Sequence, residues 1–257
     1  MNAHLMRTAF VVSVVLGIPS AVTAAELTQE IRTRDGFTMY LPEDWVRIPD
    51  NVMEERFNAA WALMEIPDTP PVVHAFGLRN AADPVAFPLI VIHISRDGRW
   101  PDIEVAKLDQ LRKHIAEEFK KGKAEWRRLS LDLQLGETLY DPEHQTIWTL
   151  VSLQSEGGAR FRALLGTRLT REGFIQLVCT AEEDEFEKYN RLFVDIVLNI
   201  KIDPGLAYKP RHVQSGAEKY GRIMVYVIVT VVVLIWAVRR RRKQNSAEHD
   251  LPLAPRT

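Results

Sequence analysis

Residues Ile223–Val238 form an apolar run that contains no charge, and Arg239, Arg240, Arg241, Arg242 and Lys243 follow it directly. As a helix, sixteen residues rise about 24 Å at 1.5 Å each, somewhat less than the ~30 Å hydrocarbon core of a bilayer. Arg222 and Arg239 can reach outward along their methylene stems. Tyr220 and Tyr226 fall near one interface and Trp236 near the other, where aromatic side chains gather. The run therefore predicts a transmembrane helix over residues 222–238. The alternative is a buried core element, since Val225, Val227, Val229, Val231, Val232 and Val233 also suit a sheet. The basic cluster marks a cytoplasmic side, which puts the tail 239–257 inside and the long N-terminal portion outside.

The other end of the chain predicts the same topology. His4 and Arg7 give a weakly positive start, Ala9–Ile18 is a short apolar core, Pro19 breaks it, and Ala21–Ala25 offers small residues for cleavage. Residues 1–25 thus read as a secretory signal peptide cut after Ala24 or Ala25, with an uncleaved anchor as the alternative. Between the two lies an extracytoplasmic domain, residues 26–203, long enough for a proper core. A linker rich in proline, glycine and polar residues, 204–221, joins it to the membrane. From Glu26 to Arg222 there are 26 basic and 32 acidic residues, a charge of −6. That balance argues against nucleic acid or anionic lipid as the partner of the domain. A single cysteine, Cys179, cannot form an intrachain disulfide, and its alternation with Ile175 and Leu177 predicts a buried, inert thiol.

Hydrophobic patterning predicts a mixed domain of helices and antiparallel strands. Asp35-Gly36 marks a hairpin within Ile31–Leu41. A helix is expected over 51–65, with Asn51 and Glu54 spaced as a capping box and Met53, Phe57, Trp61 and Met64 on one face. Strands are expected over Val72–Leu78 and Leu89–Ser95, the second almost continuously apolar, as a strand covered on both faces would be. A second helix is expected from Asp102 to Lys121, ended by Gly122, with Val105, Leu108, Leu111, Ile115 and Phe119 as its buried stripe. Then the period changes. Strands are predicted at 129–135, 137–140, 146–154, 160–170 and 173–180, joined by turn-forming residues. A last helix over 182–200 buries Phe186, Tyr189, Phe193, Ile196, Val197 and Ile200.

Two stretches resemble the PsbP-like fold, which is shared by extrinsic proteins of photosystem II, a Ran-binding nuclear-import factor and bacterial DcrB-like exported domains. Asp35–Trp45 (DGFTMYLPEDW) is similar to that family's opening glycine, aromatic, strand, proline and tryptophan pattern. Gly173–Ile202 is similar to its closing strand, small-residue turn and amphipathic helix. The resemblance implies an α+β fold, an α/β/α sandwich with a central antiparallel sheet. It implies no activity, because a fold of this kind does not fix one. The C-terminal membrane anchor departs from the characterised branches.

Residues that could carry chemistry are few. No histidine pair has the spacing of a zinc motif, no G-x-S-x-G is present, and Gly157 and Gly158 belong to a hairpin turn. His93 shares a strand face with Val91 and Leu89 and reads as a core histidine. Asp141, Glu143 and His144 could supply an acid, a base or a metal site, although Asp-Pro-Glu is also ordinary turn chemistry. Trp100, beside Pro101 at a connection, is the tryptophan most able to meet a ligand. The reading that follows is a non-catalytic, membrane-tethered binding or assembly module. It requires no cofactor, metal or nucleic acid, touches the bilayer through one helix (Arg222, Tyr226, Trp236 and Arg239–Lys243), and has a protein partner in the envelope. One alternative is an exported hydrolase or metal-dependent enzyme built on Asp141, Glu143 and His144. Another gives the basic tail a recruiting role at the cytoplasmic membrane face.

Overall fold

A computed structural model describes residues 26–55, 72–96, 113, 116–117, 131–155 and 157–209. The chain opens with a hairpin of β1 (Gln29–Arg32) and β2 (Phe37–Leu41), which turns at Asp35-Gly36 as the sequence predicts. Gly36 has φ +83, a conformation that suits a residue without Cβ. After Pro42 comes a short strand, β3 (Trp45–Arg47), then a helical turn at 50–55. Asn51 does not cap that turn. The backbone N–H groups of Val52 and Met53 both donate to Pro49 O, so the helix starts earlier and Asn51 lies within it.

β4 (Val72–Leu78) and β5 (Leu89–Ser95) have the predicted bounds. Of the predicted second helix, Lys113, Ala116 and Glu117 are described, and they are helical. Trp100, the rest of that helix and most of 51–65 lie outside the described residues, as do the signal peptide, the span and its flanking Arg222 and Arg239–Lys243, and the tail. Among the described residues no helix is long and apolar enough to cross a membrane.

The remaining strands are β6 (Leu131–Asp141), β7 (Thr146–Ser155), β8 (Arg160–Leu169) and β9 (Phe174–Glu182), followed by α1 (Glu183–Leu198) and β10 (Lys201–Ile202). The two strands expected on either side of Gly136 are one strand. Its register against β7 shifts between Leu135 and Thr138, so the glycine marks a bulge, not an end. β10 is a further addition, too short to show a pattern in sequence. It lies beside β2 and pairs Lys201 with Thr38 and Ile202 with Phe37.

The result is a mostly-sheet α+β fold. The large sheet has strand order β3-β4-β5-β9-β8-β7-β6, antiparallel throughout, and the small sheet has order β1-β2-β10. Alternation sorts the large sheet into two faces. On the first, Phe76, Ile90, Ile92, Leu164, Leu177 and Cys179 meet Phe37, Met39 and Leu41 of the small sheet and Phe186, Phe193, Ile196 and Val197 of α1. Gly166 lets the helix come close: a Cβ there would lie 2.6 Å from Val197 Cγ1. Tyr189, placed on the buried stripe by the sequence, stays partly exposed and stacks on Phe193.

The second face is also closed. Leu89, Val91 and His93 of β5, Phe174, Gln176 and Val178 of β9, and Leu165 and Thr167 of β8 are all buried. β9 has no exposed residue along its length, the pattern of a strand in a middle layer.

Candidate functional site

Strand directions bring most of the polar residues of interest to one rim of the large sheet. There β3 ends near Arg47, β4 begins, β5 ends at Ser95, β6 turns into β7 through 142–145, and β8 turns into β9 through 170–173. Backbone hydrogen bonds tie these turns together. Leu169 N–H donates to Gln145 O at 2.9 Å, and Arg171 N–H donates to Leu206 O at 2.8 Å.

The predicted Asp141, Glu143 and His144 sit in the β6–β7 turn. Asp141 Oδ1 accepts from the backbone N–H of Glu143 at 2.9 Å and of His144 at 3.2 Å. Its Oδ2 lies 2.7 Å from His144 Nδ1. The turn thus brings Asp141 and His144 together, and the carboxylate satisfies the backbone donors that the bend leaves open. Glu143 is exposed. Gln145, at φ 52, completes the bend, and its Oε1 accepts from Tyr140 Oη at 2.6 Å. Among the described residues no group of three or more His, Cys, Asp or Glu side chains could hold a metal ion.

A second cluster on this rim joins residues far apart in sequence. His74 Nε2 of β4 lies 3.1 Å from Asp35 Oδ2 in the β1–β2 turn. Arg96 Nη2, just past β5, donates to Asp35 O at 3.4 Å and to Asp35 Oδ1 at 3.5 Å. Phe37 meets the His74 ring edge-on, with centroids 6.1 Å apart. Burial pushes the His74 pKa below its ordinary value of 6.5, and the hydrogen bond with Asp35 opposes that shift without overcoming it. A neutral His74 donates through Nε2 to the Asp35 carboxylate. The same contact also pins the small sheet to the large one.

Asp203, at the predicted linker boundary, is held by this rim. Its N–H donates to Gly36 O at 2.9 Å, and its own carbonyl accepts from Leu206 N–H at 2.8 Å and Ala207 N–H at 3.1 Å. Leu206 covers Gly36 so closely that a Cβ there would lie 2.2 Å from Leu206 Cδ1. Ala207 forms a bridge with Thr170. The docked part of the chain therefore runs at least to Ala207, beyond the boundary that composition suggests.

Arg168 of β8 has a structural role that periodicity does not reveal. Its Nη1 donates to Leu198 O at 3.5 Å, at the C-terminus of α1. The last turn of α1 has no base of its own. The sheet thus supplies the positive charge that a helix end favours, and burial pushes the guanidinium pKa down.

Two expectations about single residues are met in the core. Cys179 is free and fully buried, and burial pushes its thiol pKa well above the usual range. His93 is fully buried on the second face. In the same cross-strand row, Gln176 Nε2 donates to Thr167 Oγ1 at 2.7 Å.

The described residues thus define a two-sheet α+β domain with the Asp35–His74 and Asp141–His144 pairs at one rim. The solution structure of cyanobacterial PsbP (CyanoP) from Synechocystis sp. PCC 6803 is similar, with 15% identity, a TM-score of 0.45, and coverage of 73% of this chain and 98% of that one. No family model matches the chain, and no curated protein matches it.

Proposed function

We propose that the chain is a non-catalytic binding or assembly module, a PsbP-like α/β/α sandwich exported by its N-terminal signal and held at a membrane by residues 222–238. The observation that carries the non-catalytic reading is the closure of Asp141 on its own turn. Its two oxygens are engaged by the Glu143 and His144 backbone and by the His144 ring. A carboxylate committed to three local contacts is poorly placed to serve a substrate as well. The closed second face of the sheet supports the sandwich, since a sheet buried on both sides is a middle layer. The unbroken apolar run and its five-residue basic stop support the span and its orientation.

The module's partner is a protein of the envelope. Crosslinking in native membranes followed by purification should recover the same partner repeatedly. A chain that brings down nothing reproducible above background would remove the basis for this reading. Replacing Asp141, Glu143 and His144 together by alanine should leave metal content and phenotype unchanged, and a loss of either would favour the enzymatic alternative.

A further inference from the structure

We infer that the rim formed by the β1–β2, β6–β7 and β8–β9 turns is the one held nearest the bilayer, with the opposite rim held away from it. The inference rests on the tether and span proposed above, and adds to them an orientation that neither supplies.

The exit point is set by contacts within the domain. Asp203 is bonded to Gly36, Leu206 lies over Gly36 and accepts from Arg171, and Ala207 bridges Thr170. Asp35, next to Gly36, is itself held by His74 and Arg96. The chain therefore leaves from this rim and no other. Between Lys209 and Arg222 there are twelve residues, 210–221. Twelve residues of flexible chain have a root-mean-square end-to-end distance of about 20 Å. The strands that separate the two rims are longer. β7 and β8 have ten residues each, or about 33 Å at 3.3 Å per residue. The far rim, with the turn at 157–159 and the turn at 79–80, is then farther from the exit point than that mean distance. Placing it against lipid would require the tether to stretch well beyond its mean length while the docked segment stayed bound.

Two exposed positions report the two rims: Glu172 on the near side and Asn80 on the far side. Cys179 is buried, so a thiol label on Glu172→Cys or Asn80→Cys reports the new position, with Cys179→Ser as the control background. The full chain, in vesicles that carry an acceptor-labelled phosphatidylethanolamine, should lose more donor fluorescence by energy transfer from Glu172→Cys than from Asn80→Cys. Duplicating residues 210–221 should reduce the transfer and narrow the difference. Equal transfer from the two positions, or greater transfer from Asn80→Cys, overturns the orientation while leaving the span intact. Release of the unmodified chain by alkaline carbonate overturns the span, and the orientation with it.

Discussion

His74 and Gly36 are single residues on which the joint between the two sheets depends, and each gives a measurable prediction. The folded-state pKa of His74 lies below 6.5, so between the two values the unfolded chain binds more protons than the folded one. Its contribution to stability is complete above pH 6.5 and is lost as the pH falls below that value toward the folded pKa. The urea midpoint should therefore decline on acidification through this window, and His74→Gln should flatten the decline. A slope unchanged by the substitution would assign it to other groups. At Gly36 the left-handed backbone and the overlying Leu206 both oppose a side chain. Gly36→Ala should cost about 1–2 kcal/mol, the usual penalty of that conformation for an L-residue, seen as a lower urea midpoint. Sequence shows only half of this joint. Asp35-Gly36 is legible as a turn, but the partner of Asp35 is 39 residues away, and no local pattern links it to a strand histidine.

At the scale of elements, the β6–β7 turn and the seat of α1 are the most informative. Asp141→Ala removes the acceptor for two backbone N–H groups and the His144 ring. It should destabilise the domain by about 1–3 kcal/mol, measured by thermal or urea unfolding, with Asp141→Asn retaining part of the loss. Gly166→Val would drive two methyl groups into Val197, where even a Cβ is too close. A cost of about 1–3 kcal/mol is expected for such overpacking. Elements bounded by strong punctuation are readable in advance. β4 and β5 begin and end where proline, arginine and aspartate interrupt the apolar runs, and α1 follows from its spaced aromatic and aliphatic residues. Gly136 misleads because a glycine between apolar stretches looks the same whether it ends a strand or bulges one. β10 is invisible because two residues have no period, and Asn51 has the right chemistry for a cap that Pro49 pre-empts. The Asp141–His144 pair is legible because its contacts are local.

For the whole molecule, the proposed topology predicts where a protease added outside the membrane will act. Cleavage should fall between Arg211 and Lys219, beyond the segment docked by Asp203, Leu206 and Ala207, and should release the domain intact. Complete protection would reverse the proposed orientation. Composition alone places the linker boundary too early because Asp203–Lys209 is as polar and glycine-bearing as a free linker. Only the contacts with Gly36, Thr170 and Arg171 distinguish it. The pairing of β2 with β10 has a further consequence, for folding. Phe37 and Ile202 come from the two ends of the domain, so their contact closes a loop of nearly its full length. Contacts so distant in sequence form slowly. In a chain crossing a membrane N-terminus first, Phe37, Met39 and Leu41 would emerge long before the strand that completes their sheet, and would need protection from aggregation until it arrived.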